Sequence, residues 1–173
     1  MQLAGQPAFP IRPAAGPVGP LTSTVRRGTG TNFDLCGKGR LFLTTRNARC
    51  SCGQLSLIVE GEPVRISMCH CHDCQRRTGS AFGAQAWFPR EKVKINGDAS
   101  QYRRTADSGN KITYHFCPSC GATVHYDFDE WDEATAVPIG AFADPCFPAP
   151  KVSVYEARKH NWVTTPPGVE HFD

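Results

Sequence analysis

The sequence lacks any long apolar run. In 173 residues no stretch approaches the ~18 apolar residues that a membrane helix needs. No basic start leads into an apolar segment, so no secretory signal is expected. No Asn-x-Ser/Thr acceptor occurs. Charge of one sign is scarce as well. Lys+Arg 19 against Asp+Glu 16 gives a net +3, too weak to argue for a nucleic-acid surface. A G-x-S-x-G elbow, a P-loop and a dinucleotide fingerprint are absent. No helix-period stretch exceeds about ten residues, and no repeat recurs at about 20–50 residues.

Cysteine, by contrast, is plentiful, at nine residues. Without a secretory route these are expected to be metal ligands, catalytic groups or core thiols in a cytoplasmic protein, rather than disulfides. Proline and glycine are unevenly spread. Residues 1–40 hold five of the 14 Pro and seven of the 16 Gly. Their five cations against Asp34 alone give +4, so with +3 overall residues 41–173 carry −1. Such a segment blocks helix and ladder and has little to bury. It reads as a flexible extension before one domain over 41–173. A basic arm for a partner, or a misassigned start of translation, are the alternatives. Cys36 in this segment and Cys146 in the domain stand apart from the other cysteines and receive no role.

The domain reads as short strands. Leu55, Leu57 and Val59 alternate onto one face within 54–60. Further runs cover 64–68, 81–88, 93–95, 111–116, 122–128, 135–142 and 152–157. Asn96-Gly97 is a strong hairpin signal. Helical turns are expected at 72–77 and 129–133. The class is therefore all-β, with few short helical turns.

Seven cysteines fall in three clusters: Cys50-Ser-Cys52-Gly53, Cys69-His-Cys71-His-Asp-Cys74 and Cys117-Pro-Ser-Cys120-Gly121. Thiolates two or three positions apart can face one ion across a tight turn, and a following Gly supplies the positive φ that such a turn often needs. Two short pairs distant in sequence are the usual source of a closed tetrahedral zinc site. Cys50, Cys52, Cys117 and Cys120 fit that pattern as structural ligands. Cys69, Cys71 and Cys74 remain as three ligands with an open fourth position, which suits catalytic zinc. Buried free thiols or disulfides are the alternative for the four. For the three it is a second closed site with His70 or His72 as fourth ligand. An iron–sulfur cluster from other pairings is a further alternative.

At these residues the chain resembles the glutathione-dependent formaldehyde-activating family, which includes the centromere protein V group. The carrying motifs are Arg49-Cys-Ser-Cys-Gly53, Cys69-His-Cys-His-Asp-Cys-Gln-Arg-Arg-Thr-Gly79 and Phe116-Cys-Pro-Ser-Cys-Gly121. Gly140-Ala-Phe-Ala-Asp-Pro145 looks like the family's Gly-x-Leu-Asp-Asp-Pro stretch, with Ala143 in place of the first Asp, and Trp162 fits a late Trp. The resemblance runs from about Thr45 to Val169. It implies a compact, zinc-bound, β-tent-like domain of short antiparallel strands, with two Zn2+ per chain divided as above. It also implies a carbon–sulfur lyase joining glutathione to formaldehyde as S-hydroxymethylglutathione. Relatives sharing the cysteines need not share the substrate.

Three thiolates around Zn2+ carry a net −1, and a fourth makes −2. Such a site favours thiolate nucleophilicity over water activation. Arg76 and Arg77, close after Cys74, are candidates for the carboxylates of glutathione, or for neutralising the zinc–thiolate cluster. Ser80 and Gln85 are weaker candidates. His115, His125 and the Trp residues read as sheet and core. Two other functions compete with the enzyme: a non-catalytic zinc-stabilised module for a macromolecule, and a thiol redox or metal-handling protein. Expected partners are glutathione or another small thiol and an aldehyde, with no membrane and no nucleic acid. The sequence leaves the oligomeric state open.

Overall fold

The computed structural model describes residues 44–173. The extension expected over 1–40, and Cys36 with it, lies outside them. In chain order the elements are β1 (Thr45–Arg49), β2 (Ser56–Glu60), β3 (Arg65–Cys69), α1 (His72–Thr78), β4 (Gly83–Pro89), β5 (Val93–Asn96), β6 (Ser100–Thr105), β7 (Lys111–Phe116), β8 (Thr123–Phe128), β9 (Trp131–Pro138), β10 (Val152–Val154) and β11 (Glu170–Phe172). Short 3-10 turns fill three of the connections.

Two sheets result: a small one ordered β1-β2-β5, and a large one ordered β11-β10-β3-β4-β9-β8-β7-β6. Period-two alternation explains how they meet. Leu55, Leu57 and Val59 are fully buried and, with Ala48, form the inner side of the small sheet. They pack with Ile66, Ala86, Phe88, Val124 and Val137 of the large sheet. Each large apolar side chain buried here contributes roughly 1.5–3 kcal/mol. The alternate residues of the large sheet point to its other face. There Trp87, Ile112, Tyr114 and Tyr126 form a second cluster around Ala134 and Ala136. One sheet therefore has a sealed face and an aromatic face.

Four expectations need correction. Asn96-Gly97 does not close a hairpin. β5 pairs with β2 while β6 pairs with β7, so this turn carries the chain from one sheet to the other. Gly97 is required there by close approach: its φ is +91°, and a Cβ would lie 1.9 Å from Gln54 O. Residues 129–133 form the β8–β9 turn and the start of β9, not a helical turn, because strand pairing outweighs local propensity. Pairing is also not wholly antiparallel, since β10 runs parallel to both β3 and β11. Trp162 is 72% exposed and lies outside the core.

Candidate metal centre and active site

The four-thiol cluster joins the two sheets. Cys50 follows β1 and Cys117 follows β7, and both are buried in the inter-sheet core. The two turns are built alike. Cys50 N–H donates to Leu55 O (2.9 Å) and Cys117 N–H to Ala122 O (3.0 Å). Gly53 N–H donates to Cys50 O and Gly121 N–H to Cys117 O, with φ of +83° and +73° at the two glycines. The ligand atoms of Cys50, Cys52, Cys117 and Cys120 all lie within 4.8 Å of one another. Cys50 and Cys52 Sγ are 3.5 Å apart, and Cys52 and Cys117 Sγ 3.6 Å. Tetrahedral zinc with bonds of about 2.3 Å places sulfurs ~3.8 Å apart, so the donor set fits a closed zinc site.

Backbone amides also favour ionised sulfur there. The Ala122 N–H, followed by that of Cys52, lowers the Cys120 thiol to about 6. Cys50 is lowered too. Burial acts against this but is overcome by the Leu55 N–H and the neighbouring thiols. Cys52 has a Gln54 N–H that favours its thiolate, yet sharing protons with Cys50 and Cys117 pushes it up to about 12. The sulfurs cannot all ionise without a cation among them.

Cys69, Cys71 and Cys74 form the second cluster, again with ligand atoms within 4.8 Å. Cys69 ends β3, Cys71 caps α1 by accepting the Cys74 N–H (3.4 Å), and Cys74 is buried in that helix. Thiols of Cys69 and Cys74 donating to Cys71 hold it down to about 2. The same sharing with Cys71 raises Cys69. Cys74 is favoured as thiolate by Cys69 but disfavoured by Cys71 and burial, and ends at about 11. Ionising one of these sulfurs therefore disfavours ionising its neighbours, a conflict that a dication among them would relieve.

Neither histidine of the motif joins the three thiols. His70 is fully buried with Nε2 3.1 Å from Ser153 Oγ, and His72 is exposed. Arg77 backs the cluster. Its guanidinium lies over Tyr114 (5.2 Å) and Tyr126 (5.1 Å), and its charge favours the Cys74 thiolate. Arg76 is exposed and shares a separate groove with Arg77. Ser80 is exposed at the end of α1.

A cavity of about 270 Å³ opens from the three thiols along the aromatic face. Neither Arg76 nor Arg77 lines it; Gln85 does, together with Arg65, Arg104, Trp87, Trp131 and Tyr155. Arg65, Arg104 and Tyr155 were missed in the sequence because the six residues come from five separate segments. Only Gln85 and Trp87 had a readable signal, through alternation with Gly83. Arg104 pairs with Asp73 (2.6 Å), which fixes β6 against α1. Tyr155, at φ +59°, is one of two non-glycine residues among those described with positive φ, and strain of this kind gathers at functional sites.

On the opposite face His115, His125 and Asp127 come together. The two rings stack at 4.1 Å and 11°, so their in-plane lone pairs run side by side rather than converging. Asp127 is instead bound by Arg90 (3.0 Å), Thr135 (2.9 Å) and His115 (3.2 Å).

A family model described as glutathione-dependent formaldehyde-activating enzyme matches residues 45–158. A crystal structure of a Rhodobacter sphaeroides protein is similar at 17% identity and a TM-score of 0.45, covering 73% of this chain and 99% of that one. No match was found among curated proteins. No helix among the described residues is long and apolar enough to cross a membrane.

Proposed function

The chain belongs to the glutathione-dependent formaldehyde-activating enzyme family, and we propose that it is a zinc-dependent carbon–sulfur lyase joining a thiol, glutathione in the first instance, to formaldehyde or a related aldehyde. The observation that carries this reading is the division of seven free cysteines into a closed set of four and an open set of three beside a cavity. Cys50, Cys52, Cys117 and Cys120 would hold a structural zinc, and Cys69, Cys71 and Cys74 a catalytic one. When bound at the second site, zinc supplies ionisation of an incoming thiol at neutral pH.

The chain's own residues do the rest. Cys69, Cys71 and Cys74 offer three donors and leave one side facing the cavity. Arg77 offsets the negative charge gathered on the sulfurs, and does so from behind, leaving the cavity clear. The apolar walls limit water around the reacting atoms, which strengthens the electrostatic interactions among them. In the addition, the thiolate sulfur bonds to the carbonyl carbon, the carbonyl π bond breaks, and the oxygen takes a proton. No oxidant or reductant is needed.

The test is the exchange rate between glutathione with formaldehyde and their adduct, followed by NMR. Acceleration above the uncatalysed rate, abolished in Cys71→Ser with the fold retained, supports the reading. Equal acceleration by Cys71→Ser contradicts it.

A further inference from the structure

Formaldehyde has one carbon, and the metal end of the cavity is enough for it. The rest of the cavity leads elsewhere. Cys69, Ser67 and Arg65 of β3 stand opposite Gly83, Gln85 and Trp87 of β4. All six share one face of the sheet, so this row runs from the thiols to the aromatic cluster. At its far end Trp131 stacks on Trp87, with centroids 4.6 Å apart at 29°, and Phe128 lies 5.1 Å from Trp87.

Two polar atoms along this row have no hydrogen-bond partner among the described residues: Gln85 Oε1 and Trp87 Nε1. Both side chains are buried, at 6% exposure each. Gln85 Nε2 is already used, donating to Ser67 Oγ (2.9 Å). Unmade buried hydrogen bonds are costly, so an unpaired acceptor and, two residues on along the same strand face, an unpaired donor suit a ligand group that is both donor and acceptor. Charge along this row offers little to an anionic aldehyde. Arg104 is paired with Asp73, and Asp107 with Arg158. That leaves Arg65 as the lining cation with no ion pair among the described residues, alongside Glu130.

We propose that the carbonyl substrate of this chain is a hydroxylated aromatic aldehyde. Its ring would lie along the row and meet the Trp87–Trp131 pair at its hydroxyl-bearing end. Its hydroxyl would donate to Gln85 Oε1 and accept from Trp87 Nε1, and its carbonyl carbon would face the three thiols. Two residues along a strand advance about 7 Å, which is the scale of a para-substituted ring. The chemistry remains addition: the sulfur–carbon bond forms, the carbonyl π bond breaks, and the thiol proton ends on oxygen. This inference rests on the thiol–aldehyde reading of the site.

The experiment is calorimetric titration of the zinc-loaded full chain with 4-hydroxybenzaldehyde, benzaldehyde and formaldehyde, followed by exchange kinetics of each with glutathione. Saturable binding is expected for both aromatic aldehydes, about tenfold tighter for the hydroxylated one, equivalent to ~1.4 kcal/mol. In Gln85→Met that preference should vanish, and in Trp131→Ala both should weaken by about tenfold. No saturable aromatic binding, or binding unchanged in both variants, overturns the proposal. Rapid formaldehyde–glutathione exchange without aromatic binding would overturn it and leave the enzyme reading standing. Aromatic binding with no exchange of any aldehyde would overturn both the enzyme reading and the aromatic aldehyde's standing as a substrate.

Discussion

Gly83 faces Cys69 across the β3–β4 ladder, and its missing side chain lets the sheet pass beneath the three-thiol cluster. A Cβ at Gly83 would lie 3.3 Å from Cys74 Cβ, 3.5 Å from Cys74 Sγ and 3.2 Å from Arg77 Nη2. The first backbone position of the row that lines the cavity is therefore shaped by the cluster it serves.

Gly83→Val is expected to displace Cys74 and Arg77. Metal content at the three-thiol site should fall by more than half, while the four-thiol site, which Gly83 does not touch, keeps its metal. Competition with a graded chelator, read by mass spectrometry, separates the two. Equal loss at both sites would show that the variant unfolds the domain instead.

The two clusters should respond differently to cysteine loss. Cys117→Ser removes a fully buried sulfur that ties the sheets together. A structural zinc contributes roughly 10–16 kcal/mol in small domains, more than the ~5–15 kcal/mol total stability of a typical domain. Cys117→Ser should therefore be recovered unfolded or in low yield. Cys71→Ser, at a half-buried helix N-cap where Ser caps well, should leave the fold and the four-thiol cluster intact. Circular dichroism and thermal melts of the two variants provide the comparison.

Stability should fall in mild acid through His125. Burial, and then the neighbouring His115, lower its pKa from 6.5 to about 4, against the pull of Asp127. Below about 6.5 the unfolded chain takes a proton that the folded chain refuses. Stability is thus lost as pH drops from 6.5 to about 4 and levels off beneath that. At 1.36 kcal/mol per unit the loss is on the order of 3 kcal/mol. Urea midpoints across this window should decline less steeply in His125→Gln. Asp127 is also held below its ordinary value: burial raises it, but His115, Thr135 and Arg90 lower it further. Its contribution is lost only in stronger acid.

Ala143 adopts φ +49°, a left-handed conformation that costs an alanine about 1–2 kcal/mol. The Asp that the family pattern carries there tolerates this region better. Ala143→Asn should stabilise the chain by about 0.5–1 kcal/mol in urea unfolding. No change would mean that the strain is relieved elsewhere.

Much of this molecule was legible because its signals are local. The alternation of Leu55, Leu57 and Val59 marked a buried face, and the cysteine spacings separated a cluster of four from a cluster of three. β1, β6 and β11 were not foreseen, since their residues are mostly exposed and show no apolar alternation. The Asn96-Gly97 turn was legible as a turn, but not the sheet to which it leads, which depends on packing against Gln54. Arg65, Trp87, Trp131 and Tyr155 converge only through long-range pairing. No short motif announces a cavity wall assembled that way.

The most direct test of the account is metal content per chain by mass spectrometry, with glutathione titrated into the same sample. The account predicts two zinc ions per chain and saturable glutathione binding that Cys71→Ser removes. One zinc per chain, with glutathione binding absent or unaffected by Cys71→Ser, would contradict it.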